Sequence, residues 1–254
     1  MCVENDIPLT AGDASFHLLL RTPERLAARP AALISLAMDR RTSLAVQPYC
    51  RIVDAFLAAG HYAASLDLPN HGERVNAYGD GLGGWAAAAA AGVDPFAELV
   101  ASGKAAVDAC IARLPGLAGI VAAGTSRGGF CAIRLTAADA RIGAVAGLAP
   151  VTWLPALSEF DGLAGNAIVQ GANLDSFIVP LTGRPVFLGI GIDDRRVGTA
   201  HCLRLHTSLR NAAPGACLPF VLTPDVTHCA PDYLYDEAAR FLLRRVRAGL
   251  PAIN

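Results

Sequence analysis

Charge is scarce in this chain of 254 residues: Asp, Glu, Lys and Arg make up 17% of it, and 21 basic against 22 acidic residues leave a net charge of −1. Without a basic surplus there is little to neutralise a run of phosphates, which excludes nucleic acid and an anionic membrane surface as expected partners. Lysine is almost missing, Lys104 standing alone among arginines. With alanine so abundant, this reads as genomic base composition, and no function is drawn from it. The amino-terminal Met1-Cys2-Val3-Glu4-Asn5-Asp6 has neither the basic region nor the apolar stretch of a secretory signal. The longest charge-free run, Ile142 to Ser158, is broken by Pro150 and Pro155 and falls short of the roughly 20 apolar residues that span a bilayer. The 7 cysteines are scattered without a C-x-x-C pair, so neither a disulfide framework nor a zinc site is expected. His201 and His206 are spaced i, i+5, which does not put two ligands on one helix face. The expectation is a cytoplasmic protein with no cofactor and no metal.

Hydrophobic residues make up 53% of the chain, enough for an extensive core. Repeats are absent, and short apolar runs alternate with longer helical stretches, the pattern of strand-helix-strand units around a parallel sheet. Strands are expected at Phe16 to Leu20, Ala31 to Ala37, Tyr62 to Leu68, Gly119 to Ala123, Ile142 to Leu148, Val186 to Ile192 and Cys217 to Leu222. Helices are expected from Val46 to Ala59, from Pro95 to Arg113 behind an Asp94 cap, and from Tyr233 to Val246. Asp67 to Arg74 is followed by a Gly- and Ala-rich stretch to about Val93, which reads as an irregular excursion over the surface. No linker-like shift in composition interrupts the chain, so 1–254 is read as a single domain, with a small lid insertion at about 152–184.

The most informative segment is Gly124-Thr125-Ser126-Arg127-Gly128, a G-x-S-x-G between a strand and a helix. A serine on so sharp a turn has a strained backbone, and side chains two positions either side would collide with it. The helix that follows aims its amides and positive dipole end at developing negative charge, which makes the Arg127 N–H the first oxyanion donor. A serine hydroxyl is a weak nucleophile and needs a base supported by a carboxylate. The strand ending at Ile192 is followed by Asp193 and Asp194, one of which is the expected acid, and His228 lies beyond the last strand.

In the order Asp67-Leu68-Pro69-Asn70-His71-Gly72, Gly124 to Gly129, Gly191 to Val197 and His228, the sequence resembles the α/β-hydrolase superfamily. Within it, the chain is similar to stand-alone members of the prolyl-oligopeptidase and dienelactone-hydrolase-like esterase groups. The resemblance covers about Ala31 to Phe241. It implies an α/β-hydrolase fold with a mostly parallel central sheet of about eight strands flanked by helices on both faces. It also implies a catalytic triad of Ser126, Asp194 and His228, with Asp194 favoured over Asp193 because a valine, Val197, stands three positions on. It gives His71 a turn-stabilising role. Where many relatives carry a His-Gly pair or a glycine-rich run, this chain reads Ala37-Met38-Asp39-Arg40, so the second oxyanion donor is expected from the backbone of Met38 or Asp39.

Other residues near these motifs are read more plainly. Cys131 is expected inside the helix behind the serine, and Arg127, Arg195 and Arg196 are expected to be solvated side chains, with an anion clamp as the less favoured reading. Trp153 and Phe160 are candidates for a substrate pocket beneath the lid, or for the lid's own core. The expected activity is a serine hydrolase that cleaves a small carboxylic ester through an acyl-enzyme. A peptidase of prolyl-oligopeptidase type and a non-catalytic ligand-binding protein on the same scaffold are the competing readings.

Overall fold

The computed structural model describes residues 2–253. Strands β1 (Val3–Ala11), β2 (Ala14–Thr22), β3 (Ala32–Leu36), β4 (Tyr62–Leu66), β5 (Ile120–Thr125), β6 (Ile142–Leu148), β7 (Val186–Gly191) and β8 (Phe220–Thr223) form one 8-stranded sheet. Their spatial order is β1-β2-β4-β3-β5-β6-β7-β8. The β1–β2 and β2–β4 pairs are antiparallel, and every pair from β4 to β8 is parallel. The helices are α1 (Arg40–Ala45), α2 (Cys50–Ala58), α3 (Gly81–Ala90), α4 (Pro95–Arg113), α5 (Arg127–Ala138), α6 (Ala167–Ala172), α7 (Ile178–Leu181), α8 (Thr199–Ala212) and α9 (Asp232–Ala248).

Strands β3, β4, β6 and β7 are buried along their whole length because helices cover both faces, which is why they read as unbroken apolar runs. Alternate residues serve opposite faces. Ile34, Ala122 and Leu188 join one apolar cluster with side chains of α3, α4, α5 and α8. Leu33, Val121 and Phe187 join the other, against α1, α2 and α9. Parallel connections carry the chain back beneath the sheet, so the loops after β3 to β8 gather along one rim.

Three elements differ from the sequence expectation. The amino-terminal strand β1 was not anticipated: it is largely exposed, so its side chains carry little of the apolar signature of a strand. The helix expected from Val46 begins only at Cys50: Val46 is extended, at φ −102° and ψ 131°, as the C-cap of a separate α1 that has Asp39 as its N-cap, and Gln47 precedes a proline, which disfavours helical backbone. The stretch expected to be irregular contains α3, whose Gly, Ala and Leu residues surround Trp85 without a polar face. By contrast α4 runs over the expected Pro95–Arg113, with Asp94 Oδ1 accepting from the N–H groups of Phe96 at 2.8 Å and Ala97 at 3.0 Å.

Residues 152–184 hold short 3₁₀ turns with α6 and α7. Their Leu154, Leu157, Phe160, Val169, Leu174 and Leu181 are buried in the same cluster as β5 and β7. Asn166 Nδ2 donates to the carbonyl of Ala89 at 3.0 Å, tying the segment to α3. Among the described residues, no helix is long and apolar enough to cross a membrane.

Candidate active site

Strand β5 ends at Thr125 and α5 begins at Arg127, so Ser126 makes the turn alone, with φ 56° and ψ −120°. This is a strained conformation for a residue with a side chain, and it is held from several sides. The Ser126 N–H donates to the carbonyl of Leu148 at 2.8 Å, and its own carbonyl accepts from Phe130 and Val151, each at 3.1 Å. A Cβ at Gly124 would run into the carbonyl of Gly128, and one at Gly128 into the carbonyl of Leu36 at the end of β3. Glycine at both positions is what lets the turn close against its neighbours.

Ser126 Oγ lies 2.9 Å from Nε2 of His228, and Nδ1 of His228 lies 2.8 Å from Oδ2 of Asp194. The Asp194 side chain is 0% exposed and the His228 side chain 28%, so a dry carboxylate backs an imidazole that is open to solvent. With its Nδ1–H given to the carboxylate, His228 presents the Nε2 lone pair to the hydroxyl. The other oxygen of Asp194 accepts from the N–H groups of Arg196 at 3.0 Å and Val197 at 3.2 Å. Thr199 Oγ1 fixes the loop by accepting from Asp194 N–H at 3.0 Å and donating to the Gly191 carbonyl at 2.7 Å. Asp193 instead faces solvent and pairs with Arg195 at 2.8 Å. The one-residue difference turns the two carboxylates to opposite sides.

A cavity of about 300 Å³ opens at Ser126, lined among others by Met38, Tyr49, Arg127, His228, Cys229 and Tyr235. Arg127 occupies the first position of α5, where a helix leaves N–H groups without an intrahelical partner. Of the two proposed second donors, Met38 lines the cavity, whereas Asp39 turns its carboxylate to the N–H of Thr42 at 2.8 Å. The glycine-free segment takes its shape from a buried ion pair. Asp67 accepts from the Arg40 N–H at 2.7 Å, from Arg40 Nη1 at 2.7 Å and from the Glu73 N–H at 3.0 Å. Leu68 N–H donates to the Met38 carbonyl at 3.1 Å, so the loop after β4 clamps the loop after β3.

Trp153 and Phe160 do not line this cavity. Trp153 stacks on His201 with ring centroids 4.5 Å apart, and Phe160 is 1% exposed within the apolar cluster under residues 152–184. Phe160 thus lies in the core, whereas Trp153 is half-buried against His201. Cys131 is buried behind the serine, and that burial pushes its thiol pKa up. His71 is buried too, with Nδ1–H donating to the Pro69 carbonyl at 2.8 Å, the same carbonyl that accepts from Trp85 Nε1 at 2.6 Å. A larger groove of about 690 Å³ between β2 and α4 shares no residue with the Ser126 cavity. Among the described residues, no group of His, Cys, Asp and Glu is placed to hold a metal.

No protein-family model matches the chain, and no curated protein matches it by sequence. Its structure is similar to that of the Pyrococcus furiosus esterase Pf2001, at 18% identity and a TM-score of 0.71, covering 95% of this chain and 92% of that one. It is similar to an acetyl xylan esterase from Paenibacillus sp. R4, at 14% identity and a TM-score of 0.73, covering 98% and 89%. It also matches a dipeptidyl aminopeptidase IV-like protein of Bacteroides ovatus at 15% identity and a TM-score of 0.72, covering 98% of this chain and 36% of that one. With this strand order, these crossovers and these neighbours, the chain has the α/β-hydrolase fold.

Proposed function

We propose that the protein is a serine hydrolase of small carboxylic esters. The observation that carries this reading is the continuous hydrogen-bonded line from the Ser126 hydroxyl through His228 to the buried Asp194, mounted on a strained turn at the mouth of a cavity. Ser126 Oγ attacks the ester carbonyl while His228 Nε2 takes its proton, and Asp194 stabilises the imidazolium that forms. The carbonyl oxygen, now negative, is held by the backbone N–H groups of Arg127 and Met38. His228 returns the proton to the departing alcohol, and water, activated by the same imidazole, releases the acid.

Similarity to esterases supports the ester reading, and similarity to a dipeptidyl aminopeptidase IV-like protein keeps peptides as the competing substrate. The expected result is that a fluorophosphonate probe labels the protein at Ser126 and that short 4-nitrophenyl esters turn over faster than aminoacyl anilides. Ser126→Ala loses labelling and lowers kcat by on the order of 10⁴–10⁶ while the melting temperature stays close to that of the parent. An anilide rate above the ester rate overturns the substrate assignment, and full activity in Ser126→Ala overturns the nucleophile.

A further inference from the structure

The charges of the half-buried and buried arginines in this protein are mostly answered by carboxylates. Arg40 meets Asp67 at 2.7 Å, Arg141 meets Asp139 at 2.6 Å, and Arg74 and Arg196 meet Glu98 and Glu159. Arg184 instead donates to the carbonyls of Thr136, Asp139 and Ile142, and Arg134 lies 3.6 Å over the ring of Phe177. Arg127 is different. Among the described residues its guanidinium has no carboxylate at ion-pair distance, and its partner is a histidine: Nη1 donates to Nε2 of His71 at 3.0 Å.

That histidine brings no negative charge. Its Nδ1–H is committed to Pro69, so Nε2 offers a lone pair, and burial with Arg127 alongside holds the ring's pKa below the ordinary histidine value. His71 therefore fixes the direction of the guanidinium without neutralising it. Arg196, paired with Glu159, adds a second positive charge nearby; burial first and then Arg196 pull the Arg127 guanidinium below its ordinary pKa, with the more distant Glu159 carboxylate opposing them. A partly desolvated cation is costly unless an anion or hydrogen-bond acceptors complete it. Arg127 is among the residues lining the cavity that holds the reactive hydroxyl.

We infer that the Arg127 side chain is the anion-recognising group of this cleft, and that the substrate is an ester whose acyl half ends in a carboxylate, a half-ester of a short dicarboxylic acid. The side is set by the rim. His228 must hand its proton to the leaving alcohol, so the alcohol lies toward β8, whereas the guanidinium is held at His71, beyond β4 on the other flank of Ser126. A planar guanidinium can bind a carboxylate through two parallel hydrogen bonds. The cavity, at about 300 Å³, sits at the small end for ligand pockets and suits a short chain.

This inference rests on the serine esterase reading, and the test separates the two. Ser126→Ala protein is titrated with monomethyl glutarate and with methyl valerate, which differ chiefly in the terminal carboxylate. The expected result is binding of the monoanion at least about 10-fold tighter, a difference removed by adding Arg127→Met and partly kept by Arg127→Lys. Equal binding of the two esters, or a preference that survives Arg127→Met, overturns the anion site. In parallel, the parent protein is assayed with mono-4-nitrophenyl glutarate and 4-nitrophenyl valerate, with a higher kcat/KM expected for the anionic ester. Selective binding of the monoanion with no turnover of either ester leaves the anion site standing and removes the esterase reading. Turnover of both esters without selective binding does the reverse.

Discussion

His61 and His71 use a ring nitrogen as a hydrogen-bond acceptor in the interior. Nδ1 of His61 accepts from the Ala31 N–H at 3.2 Å, and Nε2 of His71 accepts from Arg127. Protonation would turn each acceptor into a donor facing a donor, and burial already lowers both pKa values. A histidine whose folded pKa lies below its unfolded value binds fewer protons when folded, so stability is full above the unfolded value of about 6.5 and declines as pH falls through the folded one. Urea unfolding midpoints are therefore expected to drop from pH 7.5 towards pH 5, with a shallower drop in His61→Asn. An unchanged midpoint over that interval removes these histidines as stability determinants. At this scale the site was legible where local chemistry announces it. Glycines flanking Ser126, an acid at the end of a strand and a histidine past the last strand can be found along a line of text. Arg40 and Asp67 could not be, since 27 positions separate them and only the fold makes them partners. Arg127, expected in solvent, is half-buried for the same reason: the loop carrying His71 comes from another strand.

The elements most readily read from sequence are those whose ends are chemically marked. Asp94 and Pro95 start α4 on the expected residue, and the buried strands β6 and β7 stand out as apolar runs. Elements without such marks, the polar edge strand β1 and the alanine-rich α3, emerge only from their neighbours. The insertion between β6 and β7 shows what neighbours decide. Phe160 could have faced a ligand, yet it lies under the insertion in contact with the main apolar cluster. Phe160→Ala is expected to cost about 3–5 kcal/mol in denaturant unfolding, the range for deleting a buried aromatic ring. KM for a small ester should stay within about twofold, because the ring does not line the cavity, and 1.4 kcal/mol would already be tenfold. A KM that rises tenfold with stability unchanged would place the ring at the substrate after all.

Across the whole molecule, the three side chains of the proposed triad sit on unequal foundations. Ser126 follows β5, which is paired on both sides, by β3 and β6. His228 follows β8, a strand of four residues at the edge of the sheet, paired to β7 alone. Edges with few buried contacts open at lower free energy than cores. Heating is thus expected to silence the protein before it melts. Residual ester turnover, followed up a temperature ramp, should fade several degrees below the loss of near-ultraviolet dichroism and return on prompt cooling. Coincident loss of both signals would mean that the edge and the centre fail together. Thermostabilising such a scaffold would then begin at the periphery, by bracing residues 224–231, and not by refilling an interior that is already well filled.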